Sequence, residues 1–182
     1  SGNLTPGVGL LNDLDTSALV RELGVESQNT GGVLLVDDEP LNLRVLRGFL
    51  EDRFKIHEAT SGAEALELAS RVPLDVVVAD QRMPGMTGIE LLERLRRVRP
   101  DVAGIVLAAY ADMATLELAI NRAGAFRFLK KPWEPEDVLT ALEQASAYVS
   151  QRRTIGKLVE LLAARRAELR PSLEEVRAQK AM

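Results

Sequence analysis

Cysteine is absent from the 182 residues, and histidine and tryptophan occur once each. Without cysteine there is no disulfide framework, which fits a reducing compartment. Aromatic residues make up 4% of the chain, so its core has to be built mainly from Val, Leu, Ile and Ala. No stretch approaches the roughly 18 consecutive apolar residues that a membrane span requires. No cationic-then-apolar secretory leader occurs either, and a cytoplasmic location is expected. There is no Gly-rich phosphate loop, and His57 has no second metal ligand near it in sequence, so His57 reads as structural.

What is present is typical of a globular chain, with 46% apolar and 27% charged residues and a net charge of −4. The charge is unevenly spread. Residues 1–32 carry Asp13, Asp15, Glu22 and Glu26 against Arg21, whereas residues 148–182 carry eight bases against four Glu. In that basic tail Glu160, Glu168, Glu174 and Glu175 interleave with Arg152, Arg153, Lys157, Arg165 and Arg166. Interleaving of this kind describes a solvated helix face rather than a nucleic-acid-binding one.

Between Val33 and about Ala147 strand and helix patterns alternate. Strands are predicted at 33–36, 55–59, 75–79, 104–108 and 125–129, as short Val/Ile/Leu-rich runs suited to burial on both faces. Helices are predicted at about 40–51, 62–71, 88–98, 112–123 and 135–149. Ser61 followed by Glu64 forms a capping-box pattern. Repeated β-α units imply a parallel sheet covered by helices on both sides, with its ligand site off the carboxyl ends of the strands. Asp37, Asp38, Asp80, Ala108 and Lys131 all fall at those ends.

Two extensions flank this α/β domain, expected at 33–147. In residues 1–32 the pattern allows a short helix, Ser17 to Leu23, with a disordered leader as the alternative reading, before a linker-like Ser-Gln-Asn-Thr-Gly-Gly stretch. In residues 148–182 Ile155, Leu162, Leu169 and Val176 recur at heptad spacing. The alternate positions, Leu158, Arg165, Ser172 and Gln179, are only partly apolar, so the pattern is a weak coiled coil that suits a dimerising or signalling helix. Pro171 is expected to kink or break it, leaving Ser172–Ala181 as a second short helix.

The carboxylates Asp37, Asp38 and Asp80 carry too much negative charge to stand close together unpaired. Such a cluster binds Mg²⁺, a hard cation that takes oxygen ligands. One of the carboxylates can then act as a nucleophile on phosphorus. A Lys131 ammonium would offset charge on the transferring group. Pro132 after it fixes the direction of the loop, with a cis bond one way to do so. Gly85 and Gly88 serve the turn and the helix start, and Trp133 packs at the top of the fifth helix. Tyr110 flanks the site, where it is placed to gate access.

Val33-Leu-Leu-Val-Asp37-Asp38-Glu-Pro, Asp80-Gln-Arg-Met-Pro-Gly-Met-Thr-Gly88 and Lys131-Pro132-Trp133 resemble the motifs of receiver domains of two-component response regulators. The resemblance covers about residues 33–147. It implies a flavodoxin-like five-stranded sheet in order 2-1-3-4-5. It further implies that Asp80 is the phosphoacceptor, and that Asp37, Asp38 and the Arg82 carbonyl hold Mg²⁺ with it. Lys131 would pair with the phosphoryl group. The implied partners are a histidine kinase or phosphotransfer protein, an output domain or partner protein, and a second copy bound through the C-terminal helix. The output face would be the fourth helix, fifth strand and fifth helix. The implied role is signal transduction as a phosphoacceptor with self-dephosphorylation, not as an enzyme acting on a separate substrate.

One position departs from the pattern. The family places Thr or Ser after the fourth strand, where Ala108 stands here, and the aromatic position that answers to it is Phe128. The chemistry of phosphate acceptance is therefore expected intact, with the usual hydroxyl relay cut. The alternative reading is a phosphorylation-independent scaffold or dimerisation module. A haloacid-dehalogenase-like phosphatase would want a second Asp two residues past the nucleophile, where Arg82 stands after Asp80.

Overall fold

The computed structural model describes residues 31–180. The expected helix at Ser17–Leu23 lies outside them. A five-stranded parallel sheet is ordered β2-β1-β3-β4-β5, from β1 (Gly32–Val36), β2 (Ile56–Ala59), β3 (Leu74–Asp80), β4 (Ala103–Ala109) and β5 (Arg127–Lys131). The helices are α1 (Pro40–Leu50), α2 (Gly62–Arg71), α3 (Gly88–Val98), α4 (Tyr110–Ala123) and α5 (Pro135–Lys180).

Side chains of a strand alternate between the faces of a sheet, so continuous apolar runs feed two cores. Val33, Leu35, Val76, Val78, Ile105 and Leu107 pack with Leu43, Leu46 and Leu50 of α1 and Val138, Ala141, Leu142 and Ala145 of α5. Leu34, Val36, Val77, Ala79, Val106 and Ala108 pack with Ala65 and Ala69 of α2, Ile89, Leu91, Leu92 and Leu95 of α3, and Leu116 and Ala123 of α4. Burial on both faces holds for the central strands β1, β3 and β4 and fails at the edges. β2 and β5 are only partly buried, and β5 begins two residues later than the apolar run suggests. The Phe126 N–H is instead turned to the Gly104 carbonyl at 2.7 Å.

Local capping fixes where helices start. Ser61 accepts from the Glu64 N–H as expected, but the Glu64 carboxylate takes the N–H of Thr60, so the box is displaced by one residue. A complete capping box forms at Thr87 and Glu90 at the head of α3. That box pins the loop leading out of β3, where Asp80 sits.

The compact unit containing the sheet closes at Ile155, beyond the boundary expected at 147. The reason is packing and charge: Val149 is buried in the α1/α5 core. One turn later Arg153 pairs with Asp75 and Asp101 and donates to the Leu74 carbonyl.

From Gly156 onward the chain is helical to Lys180, and the break expected at Pro171 is absent: Ser172–Lys180 is not a separate helix. Proline deletes one backbone N–H, here the donor to the Ala167 carbonyl. Ala167 is exposed, so water can take that carbonyl's place, and the flanking Ala, Glu, Leu and Arg residues favour helix. Among the described residues no helix is long and apolar enough to cross a membrane.

Candidate functional site

The acidic site lies where β1 and β3 end. Asp37, directly after β1, is buried and held by two hydrogen bonds: its Oδ1 accepts from the Glu39 N–H at 2.9 Å and its Oδ2 from Asn42 Nδ2 at 3.0 Å. Asp38 beside it is half-buried. Asp80 is the last residue of β3 and only 6% exposed. One carboxylate oxygen from each of the three lies within 4.8 Å of the others. Sequence order separates Asp37 from Asp80 by 43 positions; adjacency of β1 and β3 in the sheet is what joins them.

Lys131 ends β5 and its Nζ makes an ion pair with Asp80 Oδ1. To do so it crosses β4, whose last two residues are Ala108 and Ala109, with Ala109 in register with Lys131 and Leu107 with Asp80. Small residues at the end of the intervening strand leave the lysine its path. The Lys131–Pro132 bond is cis. A shallow recess beside the pair is lined by Asp37, Asn42, Leu46, Lys131, Pro132 and Trp133. Trp133 packs against the α1/α5 core, as expected.

The electrostatics of Asp80 follow from this placement. Burial is the largest effect and pushes its carboxyl above the ordinary range. The hydrogen bond and charge of Lys131 oppose that shift, and the charges of Asp37 and Asp38 add to it. Among the described residues three carboxylates thus face one ammonium, a deficit of positive charge that a divalent cation fits.

Two glycines shape the loop from β3 to α3. Gly85 has φ of +80°, a left-handed conformation costly for any residue with a Cβ. Gly88 lets the head of α3 approach the strand end: a Cβ there would lie 2.7 Å from the Asp80 carbonyl oxygen. The Gln81 side-chain oxygen accepts from the Ile89 N–H at 3.1 Å and fastens the same loop.

Ala108, the last residue of the strand predicted at 104–108, is the penultimate residue of β4 and is 1% exposed. Phe128 is in register with Val106 and packs against the same core as Ala108. Tyr110 is the first residue of α4 and 74% exposed; its ring is covered by Lys130, whose Nζ stands 4.4 Å from the centroid. His57, in β2, takes no part in the site; its Nε2 is buried with no hydrogen-bond partner among the described residues.

A pairing not anticipated from sequence links the site to α4. The Arg82 side chain, two residues past Asp80, meets Asp112 in the first turn of α4. Nε donates to Oδ2 and Nη2 to Oδ1, both at 2.9 Å. The Arg82 guanidinium holds the Asp112 carboxyl below its ordinary range. The signal was present in the sequence as an Arg and an Asp just past the ends of two adjacent strands, 30 positions apart.

A 2-1-3-4-5 parallel sheet with an acidic pocket at its carboxyl edge is the flavodoxin-like architecture, with its site at the topological switch point. The family description "Response regulator receiver domain" matches residues 33–143, and the chain belongs to that family.

Over 119 residues it is 36% identical to the hydrogenase transcriptional regulatory protein HoxA of Cupriavidus necator, covering 65% of this chain and 25% of HoxA. It is 33% identical over 126 residues to the nitrate/nitrite response regulator protein NarL of Escherichia coli K12, covering 68% of this chain and 58% of NarL. Among solved structures, the signal receiver domain of an HD domain-containing protein from Pseudomonas fluorescens Pf-5 superposes with a TM-score of 0.63 at 30% identity. That match covers 66% of this chain and 98% of the other. The chain therefore spans only part of the length of the curated relatives it matches.

Proposed function

We propose that this receiver domain accepts a phosphoryl group on Asp80 from a phosphohistidine of a histidine kinase or phosphotransfer protein. The observation that carries the reading is the convergence of Asp37, Asp38 and Lys131 on one buried Asp80 at a strand end. Asp80 supplies the attacking carboxylate oxygen. As its O–P bond forms, the donor's P–N bond breaks and the electron pair stays on the imidazole. Lys131 balances charge on the transferring group.

An all-oxygen donor set with surplus negative charge fits Mg²⁺, which Asp37, Asp38 and Asp80 would hold together with the Arg82 carbonyl. The cation would supply charge neutralisation to the phosphoryl oxygens. The domain is a phosphoacceptor that returns to its resting state by hydrolysis, and the corresponding location is the cytoplasm.

The donor's surface is proposed from continuity with the pocket. α1 starts at Pro40, just past Asp37 and Asp38, and exposes Leu41, Val45 and Phe49 in one i, i+4, i+8 stripe. That ridge fits the histidine-bearing helix of the donor. Output is proposed through α4, β5 and α5 to residues 148–182, where exposed Ile155, Leu162, Leu169 and Val176 suit pairing with a second copy. An output domain or partner protein would read that state; several relatives carry transcriptional-regulator names.

Phosphate-affinity gels after treatment with a small phosphodonor and Mg²⁺ test the reading. A shifted band is expected for the wild type and none for Asp80→Ala; no shift in the wild type, or an equal one in the variant, refutes it.

Ala108 favours a second reading, a scaffold whose partners do not depend on phosphorylation. Buried and without a hydroxyl, the Ala108 side chain offers the phosphoryl group no hydrogen bond. This reading predicts an unchanged sedimentation coefficient on adding beryllofluoride and Mg²⁺, and a clear change counts against it.

A further inference from the structure

We infer that Arg82 exchanges partners, leaving Asp112 for the phosphoryl group on Asp80, and so carries the site's state to α4 by a route that needs no hydroxyl at Ala108. This rests on the proposed phosphorylation of Asp80. In the resting structure the guanidinium binds both oxygens of Asp112 and thereby ties the β3–α3 loop to the first turn of α4. Among the described residues this is the one ion pair between that loop and that helix.

The pair is built to move. The Arg82 side chain is 73% exposed, so its reorientation disturbs no core packing, while Asp112 is 20% exposed and fixed on its helix. The Asp80 charge already stabilises the Arg82 cation alongside the larger contribution of Asp112. Arg82 is thus within the field of both carboxylates before any modification. Converting Asp80 to an aspartyl phosphate adds negative charge and three strong acceptor oxygens. Those oxygens offer the guanidinium the same bidentate geometry that it makes with Asp112. The balance between two similar partners therefore shifts with the charge at Asp80.

Loss of the clamp frees the head of α4, where Tyr110 starts the helix under Lys130. The switch element is then a helix terminus released by charge competition, in place of a side chain drawn inward through a hydroxyl.

Amide hydrogen exchange at residues 110–114 reads the clamp, and ¹⁹F NMR of the same samples reads occupancy of Asp80 by beryllofluoride. In the full chain with Mg²⁺, beryllofluoride is expected to speed exchange there about three- to fivefold, the factor of one exposed ion pair. Arg82→Met should show the faster exchange without beryllofluoride and gain nothing further when it binds. Arg82→Lys, which keeps the charge but not the fork, should respond by a smaller factor. If the pair merely staples the fold, beryllofluoride would add the same increment in Arg82→Met as in the wild type, and the exchange of partners is refuted. Bound beryllofluoride with unchanged exchange in the wild type refutes it as well, leaving Asp80's role intact. A missing ¹⁹F signal removes the phosphoacceptor reading, and the exchange of partners with it.

Discussion

Arg153 anchors the last helical turn of the sheet-bearing unit, and its removal should cost more than a surface arginine does. Its guanidinium reaches three acceptors at the amino end of β3 and the approach to β4: Asp75 Oδ1, the Leu74 carbonyl at 2.9 Å and Asp101 Oδ2 at 2.9 Å. Two of them have a substitute. Arg99 binds both Asp101 oxygens, at 3.0 and 3.2 Å, and its Nη2 also lies 3.4 Å from the Leu74 carbonyl. Among the described residues Asp75 has none: its side chain is 8% exposed and Arg153 is its cation.

Breaking a buried pair from one side costs about 3–5 kcal/mol, because a charge is stranded away from water. The Arg153 side chain is 32% exposed, so water reaches the gap and the expected loss for Arg153→Met is about 2–3 kcal/mol. Urea unfolding of the full chain, read by a core-strand probe, measures it. Asp75→Asn combined with Arg153→Met removes the stranded charge and should recover at least about 1 kcal/mol of that loss. A loss below about 0.5 kcal/mol for Arg153→Met, or a double variant no more stable than it, would refute the reasoning.

Three further outcomes follow from single sites. Gly88→Ala places a Cβ 2.7 Å from the Asp80 carbonyl oxygen, a backbone atom that cannot rotate away; about 1–3 kcal/mol of stability should be lost in urea titrations, with slower labelling of Asp80. Burial, and then the charge of Lys55, lower the His57 pKa below 6.5, so the unfolded state binds the proton more readily. Stability should therefore fall as pH drops below about 6.5 towards the folded-state value, be flat above it, and lose that dependence in His57→Gln, as followed by thermal melts. Ala108→Ser adds a hydroxyl with less bulk than Thr in a position 1% exposed; one charge-assisted hydrogen bond should favour the phosphorylated state by about 1.5–3 kcal/mol, seen as a longer-lived band on phosphate-affinity gels.

The central strands were legible because burial on both faces demands unbroken apolar runs, and β1, β3 and β4 supply them. β5 was misplaced because an edge strand tolerates charge: Arg127, Lys130 and Lys131 belong to it, while the apolar Ala125 and Phe126 do not. The acidic pocket was readable residue by residue, since each member sits at a strand end that a parallel sheet gathers onto one edge. The Arg82–Asp112 and Arg153–Asp75 pairs were not, because each joins positions whose proximity depends on how loops and helix ends are aimed. Asp75 did carry a warning, a charge inside the run Leu74-Asp75-Val76-Val77-Val78, where a buried carboxylate requires a cation. Pro171 does not end the helix for the opposite reason: in a solvated helix its missing donor leaves a carbonyl that water can satisfy.

β3 thus carries a carboxylate near each end, and the two are served differently. Asp75 is neutralised by an arginine within the unit, so its charge is a fixed structural feature. Among the described residues Asp80 shares Lys131 with two further carboxylates, so its pocket carries surplus negative charge that a cationic ligand fits. An under-compensated site stores sensitivity: any change of charge at Asp80 must be answered by nearby mobile cations. The Lys131 ammonium is already engaged there, and Lys130 lies over Tyr110. Among the described residues Arg82, the exposed guanidinium two residues from Asp80, is a further cation placed to respond, and its present partner is the first turn of α4. With no hydroxyl on Ala108, an electrostatic response through Arg82 is the route from pocket to helix that the charges themselves favour.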